Sequence, residues 1–108
     1  MKVSILERLL IMGLIPEKSD YRTLKDSIDL KKELSFNEEE LRKYDIKDVV
    51  LPDGKRQVSF NIEVAAGYEK EIKLKKYIAD YLVNKLKEID KSKELSEQLV
   101  TLYEKIVL

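Results

Sequence analysis

The hydrophobic positions near the start of the chain recur at the three-to-four-residue spacing of a helix. Ser4 and Glu7 have the spacing of a capping box, in which each side chain accepts a hydrogen bond from the other residue's backbone N–H. Gly13 then offers the left-handed conformation that ends many helices, and Pro16 cannot continue one. The sequence therefore predicts a first helix that begins after Ser4 and ends near Met12.

Two more helices are predicted before residue 45. Either Ser19 or Asp20 caps the second of them. Asn37 and Glu40 repeat the capping-box spacing, and the three successive glutamates at positions 38–40 oppose the positive end of the helix dipole. The third helix is therefore short, from this cap to about Tyr44.

The period of the pattern changes from near four to two in the middle of the chain. Apolar and polar residues alternate over positions 57–64, which predicts a half-buried strand. Residues 52–54 read Pro-Asp-Gly, a strong turn sequence, so residues 49–51 are expected to pair with the 56–64 strand as a hairpin. Residues 71–74 form a possible third strand of the same sheet.

The final 34 residues return to helical spacing, with Ser96 as the cap of the last helix. The predicted fold class is α+β: three N-terminal helices, a small antiparallel β-hairpin or three-stranded sheet, and two C-terminal helices. The two apolar stripes of the C-terminal helices are Leu74, Ile78, Leu82, Leu86 and Ile89, and then Leu99, Leu102 and Ile106.

Length and composition indicate one folded domain spanning 1–108. At 108 residues and 44% hydrophobic side chains, folding buries roughly two-thirds of the chain's surface. The chain has no cysteine and no histidine, which excludes disulfides, thiolate nucleophiles and catalysis by a serine–histidine pair. No cofactor is expected.

Charge and hydropathy favour a cytoplasmic protein. The chain has 21 basic and 21 acidic side chains, so it lacks the basic excess of proteins that bind phosphate or anionic lipid through bulk charge. Its longest apolar run, residues 9–15, is too short to span a bilayer. Pro16-Glu17-Lys18 follows this run where a signal peptide would have a cleavage site with small residues, so no membrane association is expected.

The acidic residues do not form a pattern typical of a catalytic or metal site. The glutamates at 38–40 project around a helix end, and Asp45, Asp48 and Asp53 fall at a strand entry and a turn, where solvated acids are common. We therefore expect a protein that is not an enzyme and holds no metal.

Nucleic-acid binding is the alternative function. Three helices followed by a hairpin is the element order of a winged helix, with Lys55 and Arg56 at the wing tip and Lys73 and Lys76 in a second basic cluster. Against it, the helix that would enter the major groove begins with three glutamates. Nucleic acid is therefore not the partner that the sequence favours.

Protein interaction is the function that the pattern favours. The first and last helices carry more apolar residues than one buried stripe needs, which is typical of an interface and predicts a homodimer or a protein partner. The other interpretation is that both helices are buried on all sides. The candidate interface residues are Val100, Tyr103, Val107, Ile11 and Leu14.

Several short motifs along the whole chain resemble a group of small uncharacterised proteins of tailed phages and prophages. They are caps, turns and apolar positions, so the resemblance implies no chemistry and no site residue. It implies a phage accessory or assembly protein that works in the cytoplasm of a bacterial host. The motifs are Glu7-Arg8, Ile15-Pro16, Thr23-Leu24-Lys25, Ser35-Phe36 with Glu38-Glu39-Glu40, Lys70-Glu71-Ile72 and Leu102-Tyr103-Glu104-Lys105.

Overall fold

Six helices and four short strands make up the chain, and the computed structural model describes all of residues 1–108. The predicted α+β class is confirmed, with two antiparallel sheets of two strands each. The helices are α1 (Ile5–Leu14), α2 (Tyr21–Leu34), α3 (Glu38–Lys43), α4 (Ile62–Ala65), α5 (Lys76–Lys91) and α6 (Glu97–Ile106). The strands are β1 (Lys2–Ser4), β2 (Lys47–Val50), β3 (Arg56–Ser59) and β4 (Glu69–Glu71).

The chain divides into two compact units. Residues Met1–Leu34 and Glu69–Leu108 form the first, which we call the helical unit. Residues Ser35–Tyr68 form the second, the hairpin unit. Folding of 1–108 as a single domain stays a prediction. No helix of either unit has both the length and the apolar character needed to cross a membrane.

The helical unit is organised around the antiparallel pairing of β1 with β4, in which Lys2 lies opposite Glu71 and Ser4 opposite Glu69. Helix α2 packs along α5, while α1 contacts α2 and α6. Apolar side chains from these elements meet in one core. Its members with almost no exposed surface are Val3, Ile11, Leu30, Leu34, Ile72, Ile78, Leu82 and Leu102.

Helix α1 begins as predicted but ends later. The capping box is confirmed, since the Glu7 N–H donates to Ser4 Oγ at 3.1 Å and the Ser4 N–H donates to Glu7 Oε1 at 2.9 Å. The prediction that Gly13 ends the helix is wrong, because α1 continues to Leu14. Ile15 is extended, as expected of a residue before proline, and so Pro16 sets the end of the helix.

Helix α2 supplies the capping hydrogen bond that no residue of α5 or its N-cap provides. The residue before α5 is Lys75, whose side chain makes no capping bond. Asp26 of α2 takes this role, because the Tyr77 N–H donates to Asp26 Oδ2 at 3.1 Å. Lys75 also forms a 2.6 Å ion pair with Asp29, one turn further along α2. The acidic face of α2 therefore caps α5 from a neighbouring helix.

This cap gives a first prediction. Asp26→Ala removes the acceptor for the Tyr77 N–H, so we expect the free energy of unfolding to fall by about 1 kcal/mol. Urea denaturation followed by circular dichroism measures it. The matched control is Asp80→Ala on the exposed side of α5, which should not lower stability. Equal effects of the two substitutions would contradict the cap.

The hairpin unit begins with the second predicted capping box, which is also confirmed. The Glu40 N–H donates to Asn37 Oδ1 at 2.7 Å, and the Asn37 N–H donates to Glu40 Oε1 at 3.1 Å. After Tyr44, Asp45 adopts a left-handed φ of 50°, and the Ile46 N–H donates back to the Leu41 carbonyl at 3.0 Å. This Schellman geometry ends α3 and starts β2.

The predicted hairpin is found, but it is shorter on one side. Strands β2 and β3 pair with Lys47 opposite Ser59 and Val50 opposite Arg56, around a turn in which Gly54 has a φ of 85°. The prediction of a strand as far as residue 64 is wrong. Residues Ile62–Ala65 form α4 instead, because the Asn61 side chain caps it by accepting the Val64 N–H at 3.2 Å.

Of the two sheet arrangements that the sequence left open, the hairpin is the one present. Residues 71–74 do not join it as a third strand. The strand in this region is β4, which begins two residues earlier and ends three residues earlier than predicted, and its partner is β1 in the helical unit. Strand β1 was not predicted, because it is only three residues long and its last residue, Ser4, is also the cap of α1.

Candidate functional site

The candidate interface residues of the terminal helices are mostly covered. Ile11 has no exposed surface and lies in the core of the helical unit, so it is not available to a partner. Leu14, Tyr103 and Val107 are half-buried, and Leu14 packs against the core. Val100 alone is exposed, at 44% of its surface. The terminal helices therefore present less apolar surface than the sequence predicts.

The candidate nucleic-acid residues fall in different units. Lys55 and Arg56 are adjacent and exposed in the hairpin unit. Lys73 and Lys76 are exposed in the helical unit, and the backbone N–H of Lys73 donates to Glu33 Oε2 at 3.2 Å. A groove of about 230 Å³ beside them is lined by Asp26, Asp29, Leu30, Glu33, Lys73 and Lys75. Carboxylates therefore accompany these lysines.

This mixture of charges gives a second prediction. We expect affinity for DNA or RNA no tighter than the non-specific range, about 10⁻⁴ to 10⁻⁶ M at physiological salt. The matched test is Lys55→Glu combined with Arg56→Glu, which should leave fluorescence-anisotropy titrations unchanged. Tight, strongly salt-dependent binding by the wild type that this double substitution abolishes would establish the winged-helix alternative.

A cluster of charges ties together distant parts of the helical unit. Lys105 Nζ on α6 donates to Glu7 Oε1 at 2.7 Å, to Glu69 Oε2 at 2.8 Å and to the Lys2 carbonyl at 2.9 Å. The other carboxylate oxygen of Glu7 accepts from Thr101 Oγ1 at 3.1 Å. The cluster thus links β1, α1, β4 and α6.

The pKa shifts in this cluster are those of a charged, hydrogen-bonded pair. Burial by itself raises the pKa of the Glu7 carboxyl, but the hydrogen bonds from Lys105, Ser4 and Thr101 bring that pKa below its usual value. Burial likewise lowers the pKa of Lys105, and the bonds to Glu69 and Glu7 outweigh it and raise that pKa. A general acid needs a carboxyl that holds its proton near neutral pH, and Glu7 has the opposite shift.

The hairpin unit contains a second buried carboxylate, again in a satisfied arrangement. Glu40 is 5% exposed and its Oε2 accepts a 2.6 Å hydrogen bond from the Tyr68 hydroxyl. The ring of Tyr68 stacks on that of Tyr44 at 4.6 Å between centroids. No three acidic side chains of the protein converge in a way that would hold a metal ion.

The hairpin unit buries few side chains and leaves several large apolar ones exposed. Only four of its residues are buried, namely Glu40, Tyr44, Ile46 and Ala65. Five of its large apolar side chains are exposed. They are Leu41, Val49, Val50, Ile62 and Val64.

The exposure of these side chains was not predicted from the sequence, although one local signal indicates it. Adjacent residues of a strand point to opposite faces, so Val49 and Val50 cannot both pack against one layer. In the structure neither does, since Val49 is 41% and Val50 66% exposed. The alternating pattern instead predicts that Ile62 and Val64 lie in a half-buried strand, where their side chains would be covered.

The hydrogen bonding of the hairpin determines which backbone groups of β2 remain open. The Leu51 N–H donates to the Lys55 carbonyl at 2.8 Å, and the Gly54 N–H donates to the Leu51 carbonyl at 2.9 Å. Because only every second residue of a strand bonds to a given neighbour, the N–H and C=O groups of Val49 and Lys47 also point towards β3. The N–H and C=O groups of Asp48 and Val50 therefore point away from β3, on the outer edge of β2.

Comparison of the chain with protein-family models, with curated proteins and with solved structures finds no match.

Proposed function

We propose that this protein is a non-catalytic protein-interaction or assembly module that associates with itself. The observation that carries the proposal is the exposure of five large apolar side chains within the hairpin unit, namely Leu41, Val49, Val50, Ile62 and Val64. Apolar side chains that are concentrated at the surface of a small unit are a feature of sites that bind another protein.

The architecture of the hairpin unit supports the same function. An isolated two-stranded hairpin is at best marginally stable in water, and it gains stability from a further strand or a packed layer. Strands β2 and β3 form such a two-stranded sheet, and every residue of β2 is exposed. A partner that covers this sheet would supply the missing contacts.

The setting that we propose is the cytoplasm of a bacterium that carries a phage or prophage. The support for it is the resemblance of the motifs from Glu7-Arg8 to Leu102-Tyr103-Glu104-Lys105 to small tailed-phage proteins. A protein of the phage or of the host is then a further partner for the same kind of surface.

Multi-angle light scattering tests the self-association and gives the third prediction. Because two-fold dimers are the commonest oligomers, we expect a mass approaching twice 12.7 kDa as the concentration rises through the micromolar range. A formal net charge of zero leaves little electrostatic repulsion between copies. A strictly monomeric protein at high micromolar concentration would overturn the self-association.

A further inference from the structure

The outer edge of β2 is a short, self-complementary strand edge. We propose that it pairs antiparallel with the outer edge of β2 in a second copy of this chain, with Val49 directly opposite Val49 of the second copy. The two hairpins then form one four-stranded sheet. This inference rests on the proposed self-association and assigns it to a named surface and register.

The register follows from the backbone donors that the edge offers. Along the outer edge, Asp48 and Val50 have N–H groups that bond nothing else in the chain. The next outward position on one side, Ile46, already donates its N–H to the Leu41 carbonyl, and on the other side Pro52 has no N–H. The edge therefore offers two free backbone N–H donors, and no further free donor extends it in either direction.

The two residues with free N–H groups, Asp48 and Val50, pair best when each lies opposite the other residue in the second copy. With Asp48 opposite Val50 of the second copy, both symmetry-related pairs exchange two hydrogen bonds, which gives four main-chain bonds in all. The register with Asp48 opposite Asp48 places like charges side by side and needs the Ile46 N–H that is already used. The register with Val50 opposite Val50 needs Pro52 as a strand residue, but Pro52 lies in the turn.

Side chains on both faces of the joined sheet suit this register. On one face, the two Val49 side chains meet at a non-hydrogen-bonded position, where Cα atoms approach to about 4.5 Å. On the other face, Asp48 falls in the same row as Arg56 of the second copy, about 10 Å away between Cβ atoms, within reach of an arginine side chain. Both residues are exposed, and neither forms an ion pair within its own chain.

The edge also lacks the features by which proteins prevent such pairing. Edge strands are usually protected by proline, by bulges, by several lysines or by a covering segment. Strand β2 contains one lysine at its start, no proline and an unbroken register with β3. A second copy is the occupant that we infer because the donors, acceptors and charges of this edge match themselves under a two-fold axis.

Cysteine cross-linking tests the register, because the natural chain contains no cysteine. Val49→Cys places two thiols at the two-fold axis, within the Cα separation that a disulfide spans. Val50→Cys is the matched control: this neighbouring residue is more exposed, but strand spacing puts its Cα about 8 Å from that of its symmetry mate, too far to bridge. Under mild oxidation we expect Val49→Cys to form the disulfide-linked dimer at least about ten times faster.

Proline substitution tests the hydrogen bonds of the edge. Val50→Pro removes an outward N–H without touching the β2–β3 ladder, so we expect the dimer dissociation constant to rise at least about tenfold. Val58→Pro is the matched control, since the Val58 N–H points away on the outer edge of β3, and the dissociation constant should not change. Hydrogen exchange of the unmodified protein adds a check: the amides of Asp48 and Val50 should gain protection as concentration rises, and that of Val58 should not.

The outcomes separate this inference from the proposed function. A wild type that dimerises but shows equal cross-linking of the two cysteine variants, or a dimer that Val50→Pro leaves intact, overturns the strand-edge pairing and leaves self-association standing. A wild type that stays monomeric overturns both. Preferential cross-linking through position 49, together with weakening by Val50→Pro alone, supports the pairing.

Discussion

Leu102→Asp is expected to unfold the helical unit. Leu102 has no exposed surface and lies in the core with residues of α1, α2 and α5. Placing an unpaired carboxylate there costs several kcal/mol, against a total stability of roughly 5–15 kcal/mol for a domain of this size. We expect the variant to lose most of its helical circular dichroism at 25 °C, or to unfold at much lower urea concentration than the wild type.

Val100→Asp is the matched control on the same helix. Val100 lies two residues earlier in α6 and is 44% exposed, so its carboxylate stays in water and we expect the free energy of unfolding to change by less than about 1 kcal/mol. If both variants unfold, the outer side of α6 is also buried in solution. If Val100→Asp stays folded but lowers the measured mass, α6 takes part in self-association, as the sequence pattern first suggested.

Local signals in the sequence predicted local structure well. A capping box needs only two residues three positions apart, and both boxes, at Ser4 with Glu7 and at Asn37 with Glu40, are present. The hairpin turn needs only a proline and a glycine at the right positions, which residues 52–54 supply. These features depend on neighbours in the chain, so the sequence is sufficient to place them.

The failure at residues 60–64 shows where a periodic pattern is insufficient. Alternation of apolar and polar residues indicates a strand only where another layer of the protein covers the apolar face of that strand. Here Ile62 is 73% exposed, so no layer covers it. The Asn61 side chain instead bonds locally at the start of α4, while its N–H donates to the more distant Tyr44 carbonyl at 2.8 Å. A local cap therefore replaced the strand.

Features that depend on distant partners were not predictable in the same way. Strand β1 is three residues long and becomes a strand only because β4 lies beside it. Ile11 faces a covered side of α1, whereas the pattern alone left open whether that side is core or interface. The open edge of β2 likewise depends on which residues of β2 form hydrogen bonds with β3. The Leu51–Lys55 hydrogen bond determines this in the structure.

Acid is expected to weaken the protein through Glu7. The pKa of this carboxyl is below its usual value of 4.5, so its charge contributes stability that is fully present above pH 4.5 and is lost as the pH falls through the lowered pKa. The Lys105 pKa is raised above 10.5, so its contribution is lost only as the pH rises beyond that value. The protein should therefore be stable between these limits.

Glu7→Gln isolates the charge of this residue. At pH 7 we expect the substitution to lower the free energy of unfolding by about 2 kcal/mol, because it removes charge-assisted hydrogen bonds from Lys105 and Ser4. At pH 3, below the usual value of 4.5, the difference from the wild type should shrink, since part of the stability that the lowered pKa of Glu7 provides is then lost. Urea unfolding at several pH values measures this difference.

Glu104→Gln is the control, because Glu104 is an exposed glutamate beside Lys105 in α6 and makes no ion pair. It should leave the free energy of unfolding unchanged at each pH. A Glu7→Gln difference that stays constant from pH 7 to pH 3 would mean that packing, and not charge, holds Glu7 in place. A difference that shrinks with acid, for Glu7→Gln alone, shows that the charge of Glu7 stabilises the protein through the hydrogen bonds that its carboxylate accepts.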